Sequence, residues 1–172
     1  MIVNPLALLH TPCMTAGRDE RLVGVISDTH GLLRPQAVAA LDGVEHIIHA
    51  GDVGAPEVLA ALGEIAPVTA VRGNNDRSPW ASALPESTAV EIGDAWLYVL
   101  HDLHDLDLEP RAAGFAAVIA GHSHQPRIEE RAGVLYVNPG SAGPRRFKLP
   151  VAVARLRIAK GTARGEIVLL DV

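Results

Sequence analysis

A mixed α/β architecture, two packed β-sheets flanked by helices (α/β with an α+β second half), follows from three features of this chain. Five short apolar runs each stop at small residues and then at side chains of the metal-ligand type. The first of these runs alternate with helix-like segments. The later ones pair around glycine-containing dipeptides. The runs are Val23–Ile26, ending in Ser27-Asp28-Thr29-His30; His46–Ile48, ending in His49-Ala50-Gly51-Asp52; Val68–Val71, ending in Arg72-Gly73-Asn74-Asn75-Asp76; Trp96–Leu100, ending at His101; and Ala117–Ala120, ending in Gly121-His122-Ser123-His124. Open α/β sheets keep their sites outside the carboxyl ends of their strands, so five such endings in one small domain point to a common site there.

Taken in order, a strand over 22–27 leads into a ligand loop and a helix that begins near Arg34-Pro35, proline being tolerated in a first turn. Val38 and Leu41 suit its buried face. A strand over 46–50 and a second helix from Pro56 through Ile65 follow, then a strand over 68–71. Two successive strand–helix units imply parallel pairing through right-handed crossovers. Beyond Asp76 the pattern changes. Residues 88–92 and 95–100 flank Gly93-Asp94, a pair that suits a tight hairpin. A short helix is expected within 107–114, starting around Glu109-Pro110, before a strand over 117–120. Two further hairpins are expected, 127–131 with 134–137 around Ala132-Gly133, and 151–158 with 163–170 around Lys160-Gly161. The first half reads as wound α/β, the second mostly as hairpins, with neither a linker nor a repeat.

The 172 residues suffice for one domain, placed at 21–172, behind an N-terminal extension at 1–20. That extension reads as flexible or surface-packed: Leu6–Leu9 is too short for a signal-peptide core, no positive charge precedes it, and Pro5, Pro12 and Gly17 interrupt any period. Met14 could be an alternative start, and His10 and Cys13 have no ligand partner nearby. A 48% hydrophobic content with two Phe and two Trp describes an aliphatic interior. No run approaches the roughly 18 apolar residues of a membrane span. The formal charge of −5, without a basic run, argues against general nucleic-acid binding. A local metal site can still draw an anionic substrate. Cys13 is the sole cysteine, which excludes an intrachain disulfide framework and disfavours thiolate zinc sites. The cytoplasm is the default address.

Asp28 and His30 stand two apart at a strand end, as do His122 and His124, so each pair would point to one side, with Cα atoms roughly 6.6 Å apart if extended. Such a pair of imidazoles can reach two neighbouring metals about 3.5–4 Å apart. A metal pair needs a shared carboxylate, and Asp52 is available to bridge; Asn74 and His101 complete the set. Two Asp, one Asn and four His offer only nitrogen and oxygen, which suits Mn²⁺, Fe or Zn²⁺ and excludes iron–sulfur chemistry. Gly51, Gly73 and Gly121 would let the backbone turn sharply beside the ions.

Asp28-x-His30, Gly51-Asp52, Gly73-Asn74-x-Asp76, His101 and Gly121-His122-x-His124, in this order, resemble the calcineurin-like metallophosphoesterase superfamily, and within it the small bacterial and archaeal phosphodiesterases. Asn138-Pro139-Gly140-Ser141 resembles a further loop of that branch, and the likeness spans about 22–172. It implies a four-layer αββα sandwich and a dinuclear phosphodiesterase acting on a phosphate-ester small molecule, nucleotide-derived compounds among them. Asp28, His30 and His124 would hold one divalent ion and Asn74, His101 and His122 the other, Mn²⁺ first, with Zn²⁺, Fe or Ni²⁺ as alternatives. Asp52 and a hydroxide would bridge them, the hydroxide attacking phosphorus in line while Asn74 steadies the charge, and Asp76 would orient the site. Two positions depart from the pattern. Asn75 stands where many members have a leaving-group histidine, and an amide cannot act as a general acid near neutral pH. Asp102 follows His101 where glycine is common, and His104 could either enter the site or belong to a polar loop.

Other polar residues take plainer readings. His46 fits a strand-edge role and His49 a packing or supporting one. Arg145-Arg146, Arg72 and Arg77 read as solvated loop cations, with phosphate binding as the sharper alternative. A non-catalytic interaction scaffold, like the retromer subunit that shares the fold, would show eroded ligand positions, whereas every one is filled here. A dinucleotide-polyphosphate hydrolase, nuclease or cyclic-nucleotide esterase also fits, although a nuclease would want a basic groove or a capping domain. An edge strand of the terminal hairpins could support a homodimer or tetramer.

Overall fold

Short β-branched runs bounded by glycine, proline and polar clusters are what pleated, half- or fully buried strands require. A computed structural model describes residues 20–172. The extension expected at 1–20 thus lies, Glu20 apart, outside the described residues. In chain order the elements are β1 (Arg21–Ile26), α1 (Pro35–Ala40), β2 (His46–His49), α2 (Pro56–Gly63), β3 (Val68–Ala70), β4 (Ser87–Ile92), β5 (Ala95–Leu100), β6 (Phe115–Ile119), β7 (Arg127–Arg131), β8 (Val134–Asn138), β9 (Ala152–Ala159) and β10 (Thr162–Leu169). Single 3-10 turns lie at Pro79–Ala83 and Leu103–Asp105. Among the described residues no helix is long and apolar enough to cross a membrane.

The strands form two five-stranded sheets, ordered β10-β9-β1-β2-β3 and β4-β5-β6-β8-β7. β1, β2 and β3 pair in parallel, as the two strand–helix units require, and the β9–β10 hairpin adds antiparallel to β1. The three expected hairpins form around Gly93-Asp94, Ala132-Gly133 and Lys160-Gly161. The second sheet is more than hairpins, however. β5, β6 and β8 are mutually parallel, because β6 inserts between two hairpins and takes one strand from each as its neighbour.

Strand alternation distributes the core. Val23, Val25, Ile48, Leu97, Val99, Ile119, Leu156 and Ile158 fill the space between the sheets. Ile26, Ile47 and Val153 turn the other way, under Leu41 after α1 and Val58 and Leu62 of α2. The first sheet is therefore buried on both faces, which explains its nearly unbroken apolar strands.

The helix expected within 107–114 does not form. Glu109 to Gly114 makes one turn, with Ala113 N donating to Glu109 O at 3.0 Å and Phe115 N to Pro110 O at 2.9 Å, and Gly114 ends it at φ 83°. The segment offers no apolar stripe that could hold a longer helix on the sheet. Leu103 and Leu106, on the 3-10 turn and just after it, pack instead against Leu100, Val118, Ala120 and Val134 on that outer face.

Leu156 is wholly buried between the sheets. Leu156→Ala is expected to destabilise the fold by about 2–5 kcal/mol, the range for truncating a core leucine, as read by the shift of a urea midpoint at unchanged slope.

Candidate metal centre

Three strand ends of the first sheet and two of the second meet at one side of the sandwich. β1 delivers Asp28 and His30, β2 delivers Asp52, β3 delivers Asn74 to Asp76, β5 delivers His101 and β6 delivers His122 and His124. Backbone bonds join these loops: Asp28 N to Gly51 O at 3.0 Å, His30 N to Asp52 O at 2.9 Å, and Gly121 N to His101 O at 2.9 Å. Asp28, His30, Asp52, His122 and His124 all adopt left-handed backbone, at φ 55°, 47°, 54°, 65° and 57°. That conformation costs an ordinary residue on the order of 1–3 kcal/mol and collects at functional sites; Asp and His are among the side chains that tolerate it best. Two glycines permit the close approach of the loops. A Cβ on Gly73 would strike Asp52 N and Oδ1, and one on Gly121 would strike Ser27 Oγ and stand 2.8 Å from Asp28 Oδ2.

The side chains form an unbroken set. Asp28 is fully buried, its Oδ2 accepting from Ser27 Oγ at 2.7 Å and from His122 N at 3.1 Å. Its Oδ1 has no hydrogen-bond partner among the described residues and lies 3.2 Å from His124 Nε2. The His124 and His30 rings stack with centroids 5.5 Å apart, and His30 Nε2 is 3.8 Å from Asp52 Oδ2. Asp52 Oδ2 in turn is 3.4 Å from His101 Nε2. Asn74 Oδ1 stands 3.1 Å from both His101 Nε2 and His122 Nδ1. Asp28, His30 and His124 present ligand atoms all within 4.8 Å of one another, and so do Asp28, Asp52 and His101.

Residues 22–161 match the calcineurin-like phosphoesterase superfamily domain. The chain belongs to that superfamily. It is 37% identical over 159 residues to a protein of Methanothermobacter thermautotrophicus named as a probable metallophosphoesterase, covering 86% of this chain and 91% of that one. The solved structure of a novel archaeal phosphodiesterase superposes with a TM-score of 0.69 at 27% identity, over 86% of this chain and 99% of the other. Vacuolar protein sorting 29 of Cryptosporidium parvum shares the fold, with a TM-score of 0.69 at 20% identity over 89% and 99% of the two chains.

Superfamily members work with divalent metal ions, and the residues present fit such ions. His101 Nδ1 lies 2.7 Å from Ala50 O, a carbonyl that can only accept, so Nδ1 carries the proton. The lone pair of Nε2 then faces Asn74 Oδ1 and Asp52 Oδ2, an arrangement that a cation stabilises. Without a metal a proton does so: burial alone would lower the His101 pKa, but the Asp52 carboxylate and Ala50 carbonyl outweigh it and raise it. Burial likewise works against the Asp52 carboxylate, yet His101 and the side chain and backbone of Asn75 hold its pKa well below the usual range. Asp28 Oδ1 and His124 Nδ1 are buried without a hydrogen-bond partner among the described residues.

The supporting residues are more specific than the sequence suggests. Asp76 accepts from Val53 N, Gly54 N and Gly73 N at 3.1, 2.8 and 2.9 Å, so it ties the β2 loop to the β3 loop. Asn75 donates from Nδ2 to Asp52 Oδ2 at 2.6 Å and from its backbone N to Oδ1 at 2.8 Å, which fixes the Asp52 carboxylate at both oxygens. His104 does not join the cluster; its side chain is 92% exposed and sits 2.8 Å from Asp102 Oδ1. Asp102 Oδ2 is 3.4 Å from His122 Nε2. The Arg145-Arg146 pair divides: Arg145 donates to Val172 O at 2.8 Å, whereas Arg146 reaches within 3.3 Å of His30 Nε2. Arg72 pairs with Glu86 at 2.5 Å and Arg77 Nε donates to Asn74 O at 3.2 Å. In the 138–141 loop, Asn138 Nδ2 donates to Gly121 O at 2.6 Å and Ser141 Oγ to Asp28 O at 3.0 Å, so this turn cluster braces two ligand loops. Ser27 is a residue that spacing alone does not mark; its only sequence signal is adjacency to Asp28. His46 pairs with Thr69 across adjacent strands at 2.8 Å.

His49 is fully buried. Its Nε2 donates to Thr29 Oγ1 at 2.9 Å, because that hydroxyl donates onward to Val53 O, also at 2.9 Å. Burial pushes its pKa from 6.5 down to about 4, against the pull of Asp28 and Asp76. The unfolded chain therefore binds more protons between these values. Metal-free protein is expected to lose about 3 kcal/mol of stability through His49 as pH falls from 6.5 to 4. His30 and His46, also lowered by burial, act with the same sign; the stabilisation from His101 is instead lost as pH rises through its raised pKa. Urea titrations of the metal-free protein across this window should show the slope, and His49→Gln should remove most of it.

Proposed function

We propose that this chain is a dinuclear-metal-dependent phosphodiesterase, with Asp28, His30 and His124 holding one divalent ion, Asn74, His101 and His122 the other, and Asp52 shared between them. The observation that carries the reading is Asp52 itself, standing 3.8 Å from His30 and 3.4 Å from His101, between the two halves of the donor set. Bound ions would lower the pKa of water from about 15.7 toward 7, providing the nucleophile, and offset charge on the phosphoryl oxygens. Mn²⁺ is the first choice, with Zn²⁺, Fe or Ni²⁺ also suited to nitrogen and oxygen ligands.

The chain's own residues set the geometry and the range of substrates. Asn75 keeps Asp52 in one orientation, Asp76 ties the β2 loop that carries Asp52 to the β3 loop, and Arg146 adds positive charge beside His30 where an anionic ester must bind. Hydrolysis forms a bond from water oxygen to phosphorus and breaks the bond to the leaving oxygen, which must then gain a proton. Asn75 cannot release one, its amide is engaged by Asp52, and His104 is turned to solvent beside Asp102. Substrates whose leaving group departs without that help are favoured, namely diesters and activated monoesters with good leaving groups, and alkyl phosphates are expected to be poor substrates. The filled candidate ligand positions favour the phosphodiesterase over a non-catalytic scaffold of the vacuolar protein sorting 29 fold.

Metal-stripped protein should regain hydrolysis of bis(4-nitrophenyl) phosphate on addition of Mn²⁺ or Zn²⁺. Asp52→Asn and His122→Ala should each reduce kcat/KM by at least about 10²-fold, the scale of losing one group that stabilises transition-state charge. Undiminished activity in excess chelator would refute the scheme. Asn75→His should raise the ratio of kcat/KM on an alkyl phosphodiester to that on a nitrophenyl diester, whatever its effect on each alone. An unchanged ratio would remove Asn75 as the limit on leaving groups.

A further inference from the structure

Two cavities flank the candidate metal centre, and Asp102 and His122 line both. One, of about 810 Å³, is polar, with Asn74, His101, Arg72, Arg77, Asp105 and Asp107 on its walls. The other, of about 250 Å³, opens on the outer face of the second sheet. Its floor is Leu103, Val118, Ala120 and Tyr136. These belong to the small apolar cluster on the face where, among the described residues, no helix packs. Several polar groups around that floor are engaged with one another. Asn138 Nδ2 donates to Gly121 O at 2.6 Å and lies 3.0 Å from Ser123 Oγ. Glu129 is gripped by both Arg127 and Arg131, and the Arg131 guanidinium lies 4.6 Å from the centre of the Tyr136 ring. Both arginines are already paired with Glu129, and Asp102 with His104 and His122, so what the floor itself offers a ligand is chiefly apolar surface.

We infer that this smaller cavity receives an uncharged apolar or aromatic arm of the phosphate ester while its phosphate sits at the metal centre. This role rests on the phosphodiesterase reading and on continuity: His122, a candidate ligand, is the wall between the centre and the apolar floor. A cavity of about 250 Å³ holds one six-membered ring with room to spare. The substrate class that follows is a phosphodiester with one compact, uncharged aryl or branched alkyl substituent; the polar cavity takes whatever else the ester carries.

Non-hydrolysable phosphonates separate this inference from the reading beneath it. On Zn²⁺-loaded protein, phenylphosphonate is expected to bind about tenfold more tightly than methylphosphonate, from apolar area removed from water. It should also shift the methyl resonances of Leu103 and Val118, which methylphosphonate should leave in place. In Ala120→Leu, which narrows the floor, the two affinities should converge. Equal affinities in the unaltered protein, binding of neither phosphonate, or shifts confined to residues of the polar cavity would overturn the inference. Ester hydrolysis without the methyl shifts would refute the cavity assignment alone. Shifts as expected in a protein that hydrolyses no ester, with any metal, would refute the phosphodiesterase reading alone.

Discussion

Two carboxylates buried side by side govern this structure. Asp28 is inaccessible to solvent and Asp52 nearly so, and with His101 they offer ligand atoms within 4.8 Å of each other. Like charges removed from water at that distance repel strongly and lose hydration, and neither cost is recovered without a cation or dedicated donors. The neighbourhood is arranged accordingly. Ser27, Asn75 and the His122 amide donate to the carboxylate oxygens, and His101 turns its second nitrogen to Asp52. Gly73 and Gly121 have no side chain because the carboxylates and their partners fill the space.

The two-sheet architecture serves the same end. The first sheet contributes both aspartates and Asn74; the second contributes His101, His122 and His124. Neither sheet alone carries the complete candidate set, so the relative position of the sheets is the relative position of the candidate ligands. That position is fixed by interdigitating side chains such as Val25, Ile48, Val99 and Ile119, which lie just behind the strand ends. Close-packed interiors transmit displacement instead of absorbing it. A site carried on packed strands is thus held more firmly than one carried on loops alone.

Much of this was legible in the chain. Apolar runs that stop at Asp, Asn or His, in the order found here, mark strands and their carboxyl ends, because strand period, turn chemistry and ligand type are all local properties. What was not legible is non-local or context-dependent. The parallel neighbours of β6 depend on which strands of two separate hairpins face it, and no residue of β6 encodes that choice. The expected helix before Phe115 fails because Glu109 to Gly114 has one turn's worth of helical residues and no apolar stripe to secure more. Asn75 could be identified as a departure from the family pattern, yet only the fold shows its amide directed at Asp52. The same holds for Arg146, separated from His30 by more than a hundred residues and indistinguishable in sequence from Arg145.

The left-handed backbone at Asp28, His30, Asp52, His122 and His124 has a bearing on how such a protein can change over generations. At each of these places glycine would ease the backbone, but at Asp28 and Asp52 it would also strand the donors of Ser27, Asn75 and the His122 amide. Descendants that discard the chemistry would therefore find relief at the histidines before the aspartates. A lineage freed from selection for turnover would shed imidazoles first and keep the same sandwich.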